Sequence, residues 1–99
     1  MVVVVFRQRV RPGFDEELEA LGARMYELAC NMPGFRSYKD FAAEDGELVS
    51  IVEFDTPEHL EAWRNHEEHR AAQRRGREKY FSEYHVQVCS VMRQSRYPG

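Results

Sequence analysis

The chain has 99 residues, of which 42% are hydrophobic and 31% are charged, a composition typical of a single globular domain spanning residues 1–99. Its 14 basic and 17 acidic side chains give a formal net charge of −3, a balance that offers no electrostatic case for nucleic-acid binding. No stretch approaches the roughly 20 apolar residues of a membrane span, so we expect neither nucleic acid nor a membrane as a partner.

The chain begins with a predicted strand and a predicted helix. Val2–Val10 is rich in β-branched residues, which indicates a strand that is buried on both faces at its start. Pro12-Gly13 ends this strand. Apolar residues then recur at intervals of three or four, which predicts an amphipathic helix that ends before Pro33-Gly34. They are Phe14, Leu18, Leu21, Met25 and Leu28.

Two further strands are predicted around a tight turn. Residues 35–43 alternate so that Phe35, Ser37 and Phe41 share one face. Asp45-Gly46 is a strong hairpin signal, and residues 48–54 follow it as the third strand.

A second helical region is predicted from Pro57 to about Lys79, with a break expected near Asn65. Asp55 and Glu58 have the spacing of a capping box, which favours a helix start at this point. Residues 84–92 predict a long closing strand.

The resulting order, βαββαβ, is the ferredoxin-like topology of the α+β class, with a four-stranded antiparallel sheet. Two helices cover one face of such a sheet. The valines of the first and last strands supply more apolar surface than those helices can cover, so we expect a homodimer that packs sheet against sheet.

Cys30 and Cys89 lie far apart, without CxxC spacing. The apolar run at Val2–Val5 lacks the charged leader and the cleavage site of a signal peptide. We therefore expect two buried free thiols in a cytoplasmic protein.

Three of the four histidines and the only tryptophan lie close together in the second helical region. Helical spacing would place four of these side chains on one strip, which could line a pocket or form the edge of a core. They are His59, Trp63, His66 and Arg70.

The chain resembles the antibiotic biosynthesis monooxygenase superfamily of dimeric α+β barrel proteins. The resemblance covers nearly the whole chain. It rests on the βαββαβ order, on the Pro33-Gly34-Phe35 bend into the second strand, on Trp63, and on the run Tyr80–Tyr84 before a valine-rich last strand. It implies a dimeric barrel, but the superfamily contains several activities.

The haem-degrading branch of this superfamily has an Asn in the first strand, a Trp, and an axial His ten residues after that Trp. Gln8 stands at the Asn position and Trp63 matches, but Gln73 stands where the axial His is required. An amide is a poor iron ligand, so the resemblance argues against haem degradation.

The quinone-forming branch uses no metal and no other cofactor, because its electron-rich substrate reacts directly with molecular oxygen. Such chemistry needs a base, a hydrogen-bond donor for the developing oxyanion and an aromatic wall. We expect catalytic roles for His66 as the base, Asn65 as the donor and Tyr84 as a proton relay. We expect a small aromatic substrate to contact Gln8, Trp63, His69 and Tyr80.

Each of these residues also has a plainer interpretation. Trp63 is equally suited to a core, and His66 to an exposed position beside Glu67. His66 and His69 would bind a metal only with a third ligand, and we expect no metal. His85 and Cys89 share a face that points either into a cavity or towards a dimer partner. A non-catalytic binding protein with the same pocket is the alternative to an enzyme.

Overall fold

A computed structural model describes residues 1–99 as a four-stranded antiparallel sheet with all helices on one face. The spatial order of the strands is β2-β3-β1-β4. The elements in chain order are β1 (Val2–Val10), α1 (Asp15–Cys30), β2 (Phe35–Ala42), β3 (Leu48–Phe54), α2 (Pro57–Arg64), α3 (Glu67–Arg75), a π-helical turn (Gly76–Tyr80) and β4 (Phe81–Ser90). The predicted ferredoxin-like α+β fold is confirmed.

The register of the sheet separates its two faces. Val2 pairs with Phe54 on β3 and with Ser90 on β4, and both Val2 and Phe54 are buried beneath the helices. Because side chains alternate along a strand, the even-numbered residues of β1, β3 and β4 face the helices. The odd-numbered residues form the opposite face, here called the open face, except for Phe81, which lies beyond a bulge and packs against Phe6 on the helix-facing side.

The hydrophobic core lies between the helices and the end of the sheet at which β1 begins. Phe54, Ala29 and Trp63 are almost completely buried within it. The other members of this buried cluster are Val2, Met25, Val52, Leu60 and Ala72. Of the apolar residues predicted for α1, Met25 is buried, while Leu21 and Leu28 pack against the cluster from its edge.

A bulge at the start of β2 changes the predicted alternation. Phe35 pairs with Phe54 and Ser37 with Glu53, so the register shifts between Phe35 and Ser37. Phe35 therefore packs edge-on against Phe54, with ring centroids 5.9 Å apart, and faces the helices rather than sharing a face with Ser37. The prediction for Phe35 was wrong because an extra residue in one strand resets the alternation.

The second helical region begins at Pro57 as predicted, but its N-cap is Thr56 and not Asp55, the residue that the capping box indicated. Thr56 is the N-cap of α2, and its hydroxyl accepts a hydrogen bond from the backbone N–H of His59 at 3.2 Å. The carboxylate of Asp55 instead accepts from Arg36 at 2.8 Å. The predicted break is present at Asn65 and His66, which separate α2 from α3.

Two further predictions are corrected. The last strand begins at Phe81 rather than Tyr84 and ends at Ser90, because the π-helical turn delivers the chain to the sheet earlier than expected. Cys30 and Cys89 are exposed free thiols, not buried ones. No helix is long and apolar enough to cross a membrane.

Candidate functional site

Trp63 and His69 form a stacked pair at the junction of α2 and α3. Their ring centroids are 4.0 Å apart and their planes differ by 11°. The Nδ1 atom of His69 lies 3.0 Å from the carbonyl oxygen of Trp63. Since a carbonyl oxygen only accepts hydrogen bonds, we assign the proton to Nδ1, which leaves a lone pair on Nε2.

His69 is also disposed to remain neutral. Burial lowers the pKa of its imidazole, the hydrogen bond to the Trp63 carbonyl partly opposes this effect, and the nearby charge of His66 lowers the pKa further. A neutral imidazole with an oriented N–H and a free lone pair has the form of a general base.

His66 has a different role in the fold. It is the N-cap of α3, and its Nδ1 accepts a hydrogen bond from the backbone N–H of Glu68 at 3.2 Å. In the neutral ring, Nδ1 therefore carries the lone pair and Nε2 carries the proton. The unused ring nitrogen of His66 is a donor, and its ring lies 6.0 Å from that of Trp63.

The break at Asn65 and His66 separates the side chains that were predicted to share one face of a continuous helix. A continuous helix would place His59, Trp63, His66 and Arg70 on one side, but α2 ends at Arg64 and α3 begins only at Glu67. Arg70 is exposed, and His69 takes the position against Trp63. The proposed strip is therefore wrong.

His59 is held at the start of α2. Its Nδ1 lies 2.9 Å from the hydroxyl of Thr56, and its ring packs against the bare Cα of Gly34. These contacts fix the connection between α1 and β2 against α2.

Asn65 and Gln73 both make contacts within the helical region. The side-chain amide of Asn65 is exposed and donates to the carboxylate of Glu61 at 3.3 Å. The amide of Gln73 donates to the carbonyl oxygen of Arg64 at 3.1 Å and lies 3.4 Å from Nδ1 of His69. Gln73 thus joins the two helices across the break.

Gln8 and Tyr84 lie together, but at the other end of the sheet from the Trp63 cluster. They are direct cross-strand partners, roughly 20 Å along β1 from Val2 at about 3.4 Å per residue. They line an open cleft of about 290 Å³, whose remaining walls are Arg7, Glu47, Glu83 and His85. Tyr84 also packs edge-on against Phe6 at 6.0 Å between centroids.

Tyr80 is buried and lies beneath a separate cleft of about 420 Å³ between α1 and the π-helical turn. Its ring packs edge-on against Phe14 at 5.6 Å. The pKa of the Glu17 carboxyl is held below its usual range by hydrogen bonds from Lys79 and from Tyr80. Tyr80 and Tyr84 therefore lie in different clefts.

His85 and Cys89 belong to the open face. They pair with Arg7 and Val3 of β1, whose side chains point away from the helices. Both are exposed. They do not point into the space between helices and sheet.

The structure adds three polar residues that the sequence analysis did not identify. Ser50 is 4% exposed, and its hydroxyl donates to the carboxylate of Asp40 at 2.6 Å. Tyr38 lies on the same face of β2 as Asp40, opposite Val52 of β3. Burial and the nearby charge of Asp40 raise the pKa of Tyr38 to about 12. The only sequence signal was a serine on the face of the third strand that otherwise carries Leu48, Val52 and Phe54.

No group of three or more His, Cys, Asp or Glu side chains is arranged to hold a metal ion.

Known proteins share both sequence and fold with this chain. The sequence model of the family described as antibiotic biosynthesis monooxygenase matches residues 1–75. The protein YqjZ of Bacillus subtilis is 34% identical over 82 residues, which cover 83% of this chain and 68% of that protein.

Two solved structures illustrate the likeness in fold. Rv0793 from Mycobacterium tuberculosis is 24% identical with a TM-score of 0.84, over 96% of this chain and 98% of its own. SnoaB from Streptomyces nogalater, described as a cofactor-independent oxygenase, is 18% identical with a TM-score of 0.80, over 94% of each chain. On its sequence match and its βαββαβ fold, the chain belongs to the antibiotic biosynthesis monooxygenase family.

Proposed function

We propose that this protein is a cofactor-independent monooxygenase that acts on a phenolic or quinone-type small molecule. Its substrate anion would react directly with molecular oxygen, with one oxygen atom entering the product and the other leaving as water. Family membership supports the reaction type, and the description of SnoaB as a cofactor-independent oxygenase supports the absence of a cofactor.

The observation that carries this proposal is the orientation of His69. The hydrogen bond from Nδ1 to the Trp63 carbonyl directs the lone pair to Nε2, and burial favours the neutral ring. His69 is thus better suited to abstract a proton than His66, whose lone pair is engaged by the backbone of Glu68. In this mechanism His66 donates a hydrogen bond from Nε2 to the oxyanion that forms.

The remaining expected residues differ in their relation to His69. Trp63 holds the base in place through the stacked rings, more than it forms an open wall, since it is 3% exposed. Gln8 and Tyr84 line a cleft at the other end of the sheet, too far from His69 for one small aromatic substrate to contact both places. The contacts of Asn65 and Tyr80 do not support the roles expected for them, because Asn65 is exposed beside Glu61 and Tyr80 is buried against Phe14.

Oxygen uptake tests this proposal. The purified protein, stripped of metal by a chelator, should consume oxygen with a hydroxylated anthrone or naphthol. His69→Gln removes the base and should lower kcat by about 100-fold, the range of general-base catalysis. His66→Gln should have a smaller effect, and Glu78→Gln, at an exposed position of the π-helical turn, should have none.

Two results would contradict the proposal. Wild-type activity that His69→Gln leaves intact would exclude His69 as the base. Tight binding of the same compounds without oxygen uptake would favour the non-catalytic binding protein instead.

A haem-handling function is the third candidate, and one observation bears on it. Haem-ligating and metal-ligating histidines commonly donate their second N–H to a carbonyl oxygen, as His69 does. Titration with haemin tests this: a Soret band that disappears in His69→Gln would support haem binding and displace the oxygenase proposal.

We also propose that two copies associate through the open face. Val3, Val5, Val49 and Ile51 form its apolar centre, and Phe41 at its side is 51% exposed. Ultracentrifugation should therefore give twice the mass of one chain. Phe41→Glu should shift the equilibrium towards the single chain, and a wild-type protein with the mass of one chain would contradict the proposal.

A further inference from the structure

The cleft between α1 and the π-helical turn is the larger of the two clefts described above, at about 420 Å³. This volume lies within the range of small-molecule binding sites. Its wall on α1 consists of residues three or four apart, which share one side of the helix. They are Glu17, Ala20, Leu21 and Arg24. The facing wall consists of Arg75, Lys79 and Tyr80, at the end of α3 and in the π-helical turn.

The cleft combines an apolar surface with basic side chains. Leu21 is half-buried and packs against the hydrophobic core, and Tyr80 is buried. With Ala20 they form a surface against which a flat apolar ligand can lie. The basic side chains are those of Arg24, Arg75 and Lys79. A ligand that matches both features has an apolar body and a negative charge.

Two of the three basic side chains are already paired with carboxylates. Arg24 donates from Nε and Nη2 to Glu68, at 3.0 and 2.9 Å, and from Nη1 to Glu27 at 2.9 Å. The ammonium group of Lys79 lies 3.0 Å from the carboxylate of Glu17. All three nitrogens of the Arg24 guanidinium are therefore engaged, and Lys79 is held by an acidic neighbour.

Arg75 differs from both, because none of the ion pairs of the structure involves it. A guanidinium presents a planar fork of N–H donors that matches the two oxygens of a carboxylate. Arg75 is thus the basic side chain of this cleft that is available to bind an anion.

We propose that this cleft binds a small molecule that carries a carboxylate on a flat apolar body. The carboxylate accepts hydrogen bonds from the guanidinium of Arg75, and the apolar body lies against Leu21 and Tyr80. Glu17 opposes such a ligand in two ways, because its charge repels the carboxylate and because it occupies Lys79. Glu17 therefore limits the affinity of the site.

Calorimetry with 1-naphthoate and its neutral amide, 1-naphthamide, tests the requirement for charge. At low ionic strength the wild-type protein should bind 1-naphthoate about fivefold more tightly, the effect of one charge-assisted contact at a partly solvated site. Arg75→Gln should reduce this preference to about twofold or less. Arg74→Gln removes an equally exposed charge from the same turn of α3, outside the cleft, and should retain it.

Glu17→Gln should change the affinity in the opposite direction. Loss of this carboxylate releases Lys79 and removes the repulsion, so the affinity for 1-naphthoate should rise by about twofold to fivefold. The affinity for 1-naphthamide should not change. If these charges only stabilised the contact of α1 with the π-helical turn, the loss of Glu17 would not improve binding.

The site is separate from the Trp63–His69 pair, because neither residue lines the cleft. His69→Gln, which tests the oxygenase, should therefore leave the affinity for 1-naphthoate unchanged, and its loss in that variant would overturn the inference. Equal affinity of the two probes for the wild-type protein, or no binding of either, would also overturn it. So would a preference that survives in Arg75→Gln or that Arg74→Gln abolishes equally. Absence of oxygen uptake would refute the proposed oxygenase but leave a measured preference standing.

Discussion

The imidazole of His69 lies parallel to the indole of Trp63, and its Nδ1 donates to the carbonyl oxygen of that same tryptophan. One residue thus provides both the surface on which the imidazole lies and the acceptor that orients it. Trp63 and His69 are joined across a break between two helices, so this contact also stabilises the junction.

The first prediction concerns the pH dependence of stability. Burial lowers the pKa of His69 in the folded state, so the unfolded chain binds a proton first as the pH falls below about 6.5. The free energy of unfolding should therefore be independent of His69 above that pH and decrease below it. Urea unfolding of His69→Gln should show a smaller decrease between about pH 7 and pH 5. An identical slope in both proteins would contradict the lowered pKa.

Gly34 should not tolerate a side chain. Its φ is +77°, and a Cβ there would lie 2.3 Å from Cγ of His59, close to the root of that side chain. Gly34→Ala should reduce the free energy of unfolding by about 3 kcal/mol or more, from backbone strain and steric overlap together. Gly46 has a φ of +90° and open space around it, so Gly46→Ala should cost only about 1 to 2 kcal/mol. Equal losses in thermal or urea unfolding would refute the role of His59.

Replacing Gly76 by alanine should change the free energy of unfolding in the opposite direction to replacing Gly22, the glycine within α1. A Cβ on Gly76 would lie 2.6 Å from the ring of Phe81, which itself packs against Phe6. Gly76→Ala should therefore destabilise the protein by about 1 to 3 kcal/mol. Gly22 in α1 has open space around it, and Gly22→Ala should stabilise the fold by up to about 1 kcal/mol. Both values are accessible from chemical unfolding, and a stabilising Gly76→Ala would be inconsistent with the packing of Phe81.

Substitutions of Thr56 test which residue caps the start of α2. Its hydroxyl accepts from the backbone N–H of His59 and contacts the ring of the same residue. Thr56→Ala should cost about 1 kcal/mol, the usual effect of losing an N-cap, whereas Thr56→Ser should cost less than half of that. If Asp55→Ala proved the more damaging change, Asp55 would be the true cap.

The fold could be predicted from the sequence because its signals are local. The valines of β1, the Asp45-Gly46 turn and the spacing of apolar residues in α1 each specify an element without reference to the rest of the chain. The errors occur where a distant residue decides the outcome. Phe35 turns towards the helices because Phe54 packs against it, and the last strand starts at Phe81 because Gly76 accommodates that ring.

The candidate site was harder to predict from the sequence than the fold, because contacts between distant residues also decide its geometry. The sequence identified Trp63 and the neighbouring histidines, but it could not state which imidazole would be used as a cap and which would stack. That distinction depends on the angle between α2 and α3. Likewise, the residue types of Ser50 and Asp40 do not indicate that the strand register makes them direct cross-strand partners.

The strand order β2-β3-β1-β4 makes β2 and β4 the two edges of the sheet. Edge strands expose unpaired backbone groups, and proteins commonly protect them with lysine, proline or short length. β2 carries Lys39, whereas β4 has ten residues with neither lysine nor proline, and its Val88 is 61% exposed. A separated copy of this chain therefore presents a template for strand addition, and β4 is the segment from which we expect aggregation to start when the protein is concentrated.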